Sequence, residues 1–122
     1  ICWVAGQFSY NEVRICQPIV KDFDRPPCHK ICHEHGREAI SHWRIIGREA
    51  DRTRMELSPV TGRSHQLRIH MLHMGHPILG DVLYAPDDVQ RMSDRLLLHA
   101  TELIVTHPET DEPLTIRSEC PF

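Results

Sequence analysis

Between Val60 and His76 the chain gathers side chains suited to acid–base and anion chemistry: Arg63, His65, Gln66, Arg68, His70, His73 and His76. An arginine in such a group can keep a carboxylate ionised or grip a phosphate, because its planar guanidinium offers paired N–H donors. Imidazoles can pass protons near neutral pH or bind metal. A second concentration, Cys28-His29-Lys30-Ile31-Cys32-His33-Glu34-His35, holds two thiols and three imidazoles. Zinc sites normally join one close ligand pair to a second pair farther along, so that a loop is clamped. No second Cys pair or Cys-x-x-His follows here. A zinc-binding domain using Cys28, Cys32 and nearby His is therefore a lesser alternative, and no metal is expected.

The 122 residues, 40% of them hydrophobic, suffice for one core. A net charge of −3 argues against a protein that grips nucleic acid by bulk charge alone. Residues 37–76 nevertheless carry seven arginines against four acids, whereas residues 77–122 carry three against nine. Such asymmetry hints at a local surface facing a polyanion. Five irregularly spaced cysteines and no signal peptide fit a reducing cytosol better than a disulfide framework, so a cytoplasmic location is expected. No apolar run approaches the length of a membrane span. The chain opens at Ile1 inside what reads as a strand, which suggests a piece of a longer polypeptide.

These residues need a scaffold. Residues 1–4 read as a strand ended by Ala5-Gly6, 7–12 as loop, and 13–16 as an edge strand limited by Pro18. Residues 22–27, with Asp-Arg-Pro-Pro, should turn. Residues 40–46 and 52–57 form two strands. In the second, Thr53, Met55 and Leu57 share a face opposite Arg54 and Glu56. Thr61 is a candidate N-cap and Gly75 a candidate C′ residue, giving a helix over about 61–75. At 100° per residue, Leu67, Met71 and Met74 fall opposite Ile69 and Leu72, so the helix should be largely buried. The remaining stripe of Arg63, Gln66, His70 and His73 either lines a cleft or satisfies buried backbone. A short helix is expected from Asp87 to about Ser93, β-like segments at 96–100 and 102–106, and a return strand at 114–117. The fold class is α+β, a mixed, mainly antiparallel sheet with one largely buried helix and a short second one.

Thr61-Gly62-Arg63-Ser64-His65-Gln66-Leu67-Arg68-Ile69-His70, followed by Gly75-His76-Pro77-Ile78-Leu79-Gly80-Asp81 and Leu83-Tyr84, resembles the C-terminal signature of the RluA family of pseudouridine synthases. About twenty ordered positions make this far more specific than a short motif. Gly36-Arg37-Glu38-Ala39, Arg95-Leu96-Leu97-Leu98-His99-Ala100 and Thr106-His107-Pro108 resemble further family segments. The resemblance spans nearly the whole chain and is strongest to members that act on both ribosomal and transfer RNA. It implies isomerisation of a flipped-out uridine, with the N1–C1′ bond broken and the base rejoined through C5. It also implies a catalytic Asp, no cofactor, an RNA partner and no membrane, in a protein expected to be monomeric when complete.

The family's H-R-L-D segment, which carries that Asp, is absent from this sequence. The family's active-site Tyr would fall one residue before Ile1. Residues 1–122 therefore read as the C-terminal portion of a single catalytic domain, inactive alone. Arg63 matches the arginine that pairs with the Asp, a role with physical sense because a carboxylate in a closed cleft needs a cation to stay ionised. Gln66, His70, Arg37 and Arg44 are candidate RNA contacts. Arg68 reads as a structural ion-pair residue and His65 as a satisfied interior histidine. The competing reading is a non-catalytic RNA-binding module.

Overall fold

The computed structural model describes residues 1–8 and 12–122, so the loop expected over 7–12 lies partly outside the described residues. Its centre is a four-stranded sheet in the order β1-β6-β5-β2: β1 is Cys2–Ala5, β2 Glu12–Cys16, β5 Ile40–Arg48 and β6 Arg52–Pro59. Two short strands, β3 (Ile19–Lys21) and β4 (His29–Ile31), form a hairpin between β2 and β5. Every ladder among the described residues is antiparallel. The alternation read in residues 52–57 is realised: Thr53 and Met55 are buried and Leu57 half-buried, while Glu56 faces solvent. Met55 joins Cys2, Val4, Phe8, Ile15, Trp43, Met71 and Ile78 in the main apolar cluster.

Helix α1 spans Gln66–His73 and packs on this sheet. It is shorter than the 61–75 expected. Thr61 is not its N-cap, because its hydroxyl accepts the Ile40 N–H (2.9 Å) and donates to Gln66 Oε1 (2.6 Å). His65, in the left-handed region at φ 56°, occupies the cap position instead. The C-terminal end follows expectation. Gly75 takes φ +83° and donates to Leu72 O, while His76 donates to Met71 O. That pair of bonds is the Schellman arrangement, which satisfies carbonyls the helix end leaves open.

After α1 the chain lays residues 77–79 and 97–99 along the outer edge of β1. Leu79 N–H bonds Trp3 O, Trp3 N–H bonds Leu97 O, and His99 N–H bonds Ile1 O. The β-like segment expected at 96–100 is thus an isolated bridge at Leu98 rather than a strand. Helix α2, Asp87–Gln90, is also shorter than expected. Strands β7 (Glu102–Thr106) and β8 (Pro113–Arg117) pair with Leu103 opposite Ile116 and Val105 opposite Leu114. Both strands are exposed throughout. Among the described residues, no helix is long and apolar enough to cross a membrane.

One buried ion pair ties α1 to the following loop. Asp81 is 1% exposed. It receives two N–H bonds from Arg68, one of them Nε to Oδ2 at 3.0 Å, and also the backbone N–H groups of Leu83 and Tyr84. Gly80 makes room for this turn: its φ is +76°, and a Cβ there would stand 1.9 Å from Arg95 O. Removing one partner of a buried pair strands the other charge. Arg68→Ala is therefore expected to cost about 3 kcal/mol or more, measured by urea unfolding. A loss below about 1 kcal/mol, the range of exposed pairs, would contradict this reading.

Candidate active site

The loop from Val60 to His65 is fastened to the start of β5 by the side chains of Thr61 and Gln66. Gln66 is 4% exposed. Its Oε1 accepts from Thr61 Oγ1 (2.6 Å) and from the Arg63 N–H (3.1 Å). Its Nε2 donates to Ile40 O (2.8 Å) and Ser41 Oγ (2.9 Å). All four hydrogen-bonding positions of the carboxamide are thereby used. Val60 N–H adds a bond to Ile40 O at 2.9 Å. The loop therefore sits where the β5 backbone dictates.

The chain of bonds continues inward and fixes its own polarity. Ser41 Oγ accepts from Gln66, so its hydrogen is free to go to His70 Nδ1, 2.8 Å away. His70 Nδ1 is then an acceptor, and Nε2–H donates to Gln17 O at 2.9 Å. His70 is fully buried, and burial holds its pKa below the usual histidine value. His65 behaves alike. Tyr84 OH accepts the His29 backbone N–H (2.9 Å) and can donate to His65 Nδ1 (2.6 Å). Burial, then the nearby Arg68 charge, lowers the His65 pKa.

This geometry corrects part of the sequence reading. Gln66 and His70 are interior hydrogen-bonding groups with their polar atoms engaged by protein, which leaves neither available to touch RNA. Two members of the polar stripe, Gln66 and His70, satisfy buried partners, while His73 is exposed and faces a cleft. Arg63 differs. Its Nε donates to Glu38 O at 2.8 Å, while among the described residues its terminal guanidinium nitrogens meet no carboxylate. It is a cation held through Nε, with its terminal nitrogens unpaired among the described residues.

Arg37 is exposed, one residue from the carbonyl that anchors Arg63, and its backbone bridges Ile19. Arg44 lies on the exposed face of β5, paired with Glu56 across the ladder at 2.8 Å. The fold thus brings Arg37 near Arg63 and leaves Arg44 separate, about 13 Å along the strand from Ile40. Cys28, Cys32 and the adjacent histidines do not converge: no group of three metal-type ligands occurs among the described residues, and all five cysteines are free. Ser41 and Tyr84, which complete the histidine contacts, give no catalytic or capping signal in the sequence. The packing of β5 against α1 reveals Ser41, and the Asp81 turn with the β4 contact reveals Tyr84.

The two depressed histidines set a pH expectation. A histidine whose folded pKa lies below its unfolded value of about 6.5 takes up protons more readily when the chain is unfolded. Stability from His65 and His70 is then present above that pH and is lost as pH falls through it. His73 is the charged neighbour that adds to the effect at His70. Urea unfolding between pH 7.5 and 5.5, roughly one unit either side of that value, should show falling stability, with a smaller slope in His70→Gln. An unchanged slope in that variant would contradict the assignment.

A sequence model described as RNA pseudouridylate synthase matches residues 1–73. The chain is 46% identical to the dual-specificity RNA pseudouridine synthase RluA of Yersinia pestis, across all of this chain and 60% of that protein. It is 44% identical to the protein of the same name from Escherichia coli K12, across 98% of this chain and 55% of that one. It therefore spans little more than half the length of these relatives. Among solved structures, human RNA pseudouridylate synthase domain containing 1 shares the fold with a TM-score of 0.85 at 24% identity, over 99% of this chain and 53% of that one. The human domain-containing 4 protein does so at 0.74 and 20%, over 98% and 56%. The matched segment contains the whole four-stranded sheet and the whole of α1, and the chain belongs to the RNA pseudouridylate synthase family.

Proposed function

We propose that these residues are the C-terminal portion of one RluA-type catalytic domain whose complete polypeptide converts uridine to pseudouridine in ribosomal or transfer RNA. The observation that carries the reading is Arg63: a guanidinium fixed through Nε to Glu38 O, on a loop pinned by Gln66, with its terminal nitrogens unpaired among the described residues. In this role Arg63 faces the carboxylate of an aspartate contributed from outside residues 1–122 and keeps it ionised inside a closed cleft. The aspartate acts on the flipped uridine as the N1–C1′ bond breaks. The base turns, C5 bonds C1′, and loss of the proton from C5 is balanced by protonation of N1. The reaction is an isomerisation with no net redox change, so the residues' task is positioning and electrostatics.

Arg37, beside the anchor of Arg63, is the better placed of the two candidate phosphate contacts. Arg44 would have to exchange Glu56 for a phosphate. The complete protein is expected to be a cytoplasmic monomer working without metal or organic cofactor.

The test is tritium release from RNA labelled at C5 of uridine. Arg63→Ala in the complete polypeptide should lower kcat by about a hundredfold or more, as loss of a preorganised charge-stabilising donor does. Arg63→Lys should restore little, since a point charge does not reproduce the planar fork. Activity of Arg63→Ala within about tenfold of wild type, a difference near 1.4 kcal/mol, would overturn the role. RNA binding by the wild-type polypeptide without tritium release would favour the non-catalytic module.

A further inference from the structure

On the side of α1 that carries His65, the β3–β4 hairpin and the helix enclose a cleft of about 190 Å³. Its rim and walls include Arg25, Lys30, His29, His73 and Tyr84, with Ile69 and Leu72 from α1 as an apolar floor. Three features mark it as more than a packing gap. First, its charge is cationic: Arg25 and Lys30 are both exposed, and the one acid in its lining, Asp22, turns its Oδ1 back to the Asp24 N–H (3.2 Å) within its own turn. Second, His29 lines the cleft and keeps its ring Nδ1 buried with no hydrogen-bond partner among the described residues. Third, Phe23, on the turn between Asp22 and Arg25, is 81% exposed. A large aromatic ring held out at the tip of a turn is the usual platform for an unstacked base.

The cleft also has a defined relation to Arg63. His65, two residues beyond it, contacts both cleft residues on its side: its ring centroid stands 5.5 Å from that of His29, and its Nδ1 is 2.6 Å from Tyr84 OH. At about 190 Å³ the space is smaller than the ~300 Å³ at which small-molecule sites begin. It suits one phosphate or one nucleotide of a longer polymer.

The geometry points to a second nucleic-acid subsite, separate from the uridine-turning centre. Arg25 and Lys30 bind a backbone phosphate of single-stranded RNA flanking the target, and Phe23 stacks on an adjacent base. That the ligand is RNA rests on the proposed function; that the cleft takes an unstacked, anionic polymer rests on the three features above.

The experiment measures binding of a short labelled oligouridylate to the complete polypeptide by fluorescence anisotropy across a salt series, in parallel with KM and kcat on substrate RNA. Lys30→Ala and Arg25→Ala should each weaken binding and flatten the slope of log K against log salt by about 0.7. Phe23→Ala should weaken binding about fivefold to a hundredfold at an unchanged slope, and Phe23→Trp should retain it. All three residues are exposed, so unchanged thermal unfolding serves as the folding control. In turnover the same variants should raise KM and leave kcat close to wild type, unlike Arg63→Ala. Wild-type binding in both cation variants, or in Phe23→Ala, overturns the subsite. Oligouridylate binding through the cleft by a polypeptide that makes no pseudouridine would retain the subsite and remove the catalytic reading. Normal turnover with unaltered KM in the cation variants would do the reverse.

Discussion

A buried carboxamide can be satisfied only if its surroundings present two donors and two acceptors in the right places. Gln66 meets that condition with Thr61, Arg63, Ile40 and Ser41, and no two of these groups are neighbours in sequence except the last pair. The arrangement presupposes that β5 is in register and that α1 begins at residue 66. Ser41 hands the connection on to His70, and His70 to the Gln17 carbonyl. A network of this kind is strong when every member is paired and costly when one is missing. It gives the 60–65 loop a single position, which a side chain working at ångström precision needs.

Arg68 and Asp81 do the corresponding work at the outer side of the helix. The pair is enclosed, and the remaining acceptor capacity of Asp81 goes to the Leu83 and Tyr84 N–H groups, which delivers the Tyr84 hydroxyl to His65. Two arginines in one motif thus have opposite fates. Arg68 is consumed by structure, and Arg63 is left with an open fork. In the proposed reading that difference is the difference between scaffold and chemistry, and the cleft beside His65 extends the same face toward the flanking polymer.

The strands are legible in the sequence because alternation reports directly on burial: their spacing alone puts Thr53, Met55 and Leu57 on one face. The Gly75 helix end is legible for a similar reason, since a glycine after a periodic segment supplies the left-handed residue that a helix end uses. The start of the helix is not. Thr61 resembles an N-cap because the local pattern permits it, but its hydroxyl is claimed by Ile40, 21 residues away in sequence. The helical wheel shows the polar stripe of Gln66, His70 and His73 to be narrow, yet not that two of its members point into protein. That depends on polar groups of β5 and Gln17 being there to receive them. Sequence spacing likewise draws the eye to the Cys28–His35 cluster, which lies along β4 and the turn after it without bringing three metal-type ligands together, and gives no sign of the roles of Ser41 or the exposed Phe23.

The central claim is that residues 60–66 are a rigid mount presenting Arg63 to a carboxylate supplied by the rest of the catalytic domain. A crystal structure of the complete polypeptide tests it most directly, through the distance between the Arg63 terminal nitrogens and the nearest acidic side chain. The expected result is an aspartate from outside residues 1–122 within about 4 Å of that fork, with the Gln66 bonds to Thr61, Ile40 and Ser41 intact. An Arg63 fork facing open solvent, or paired with an acid of residues 1–122, would contradict it.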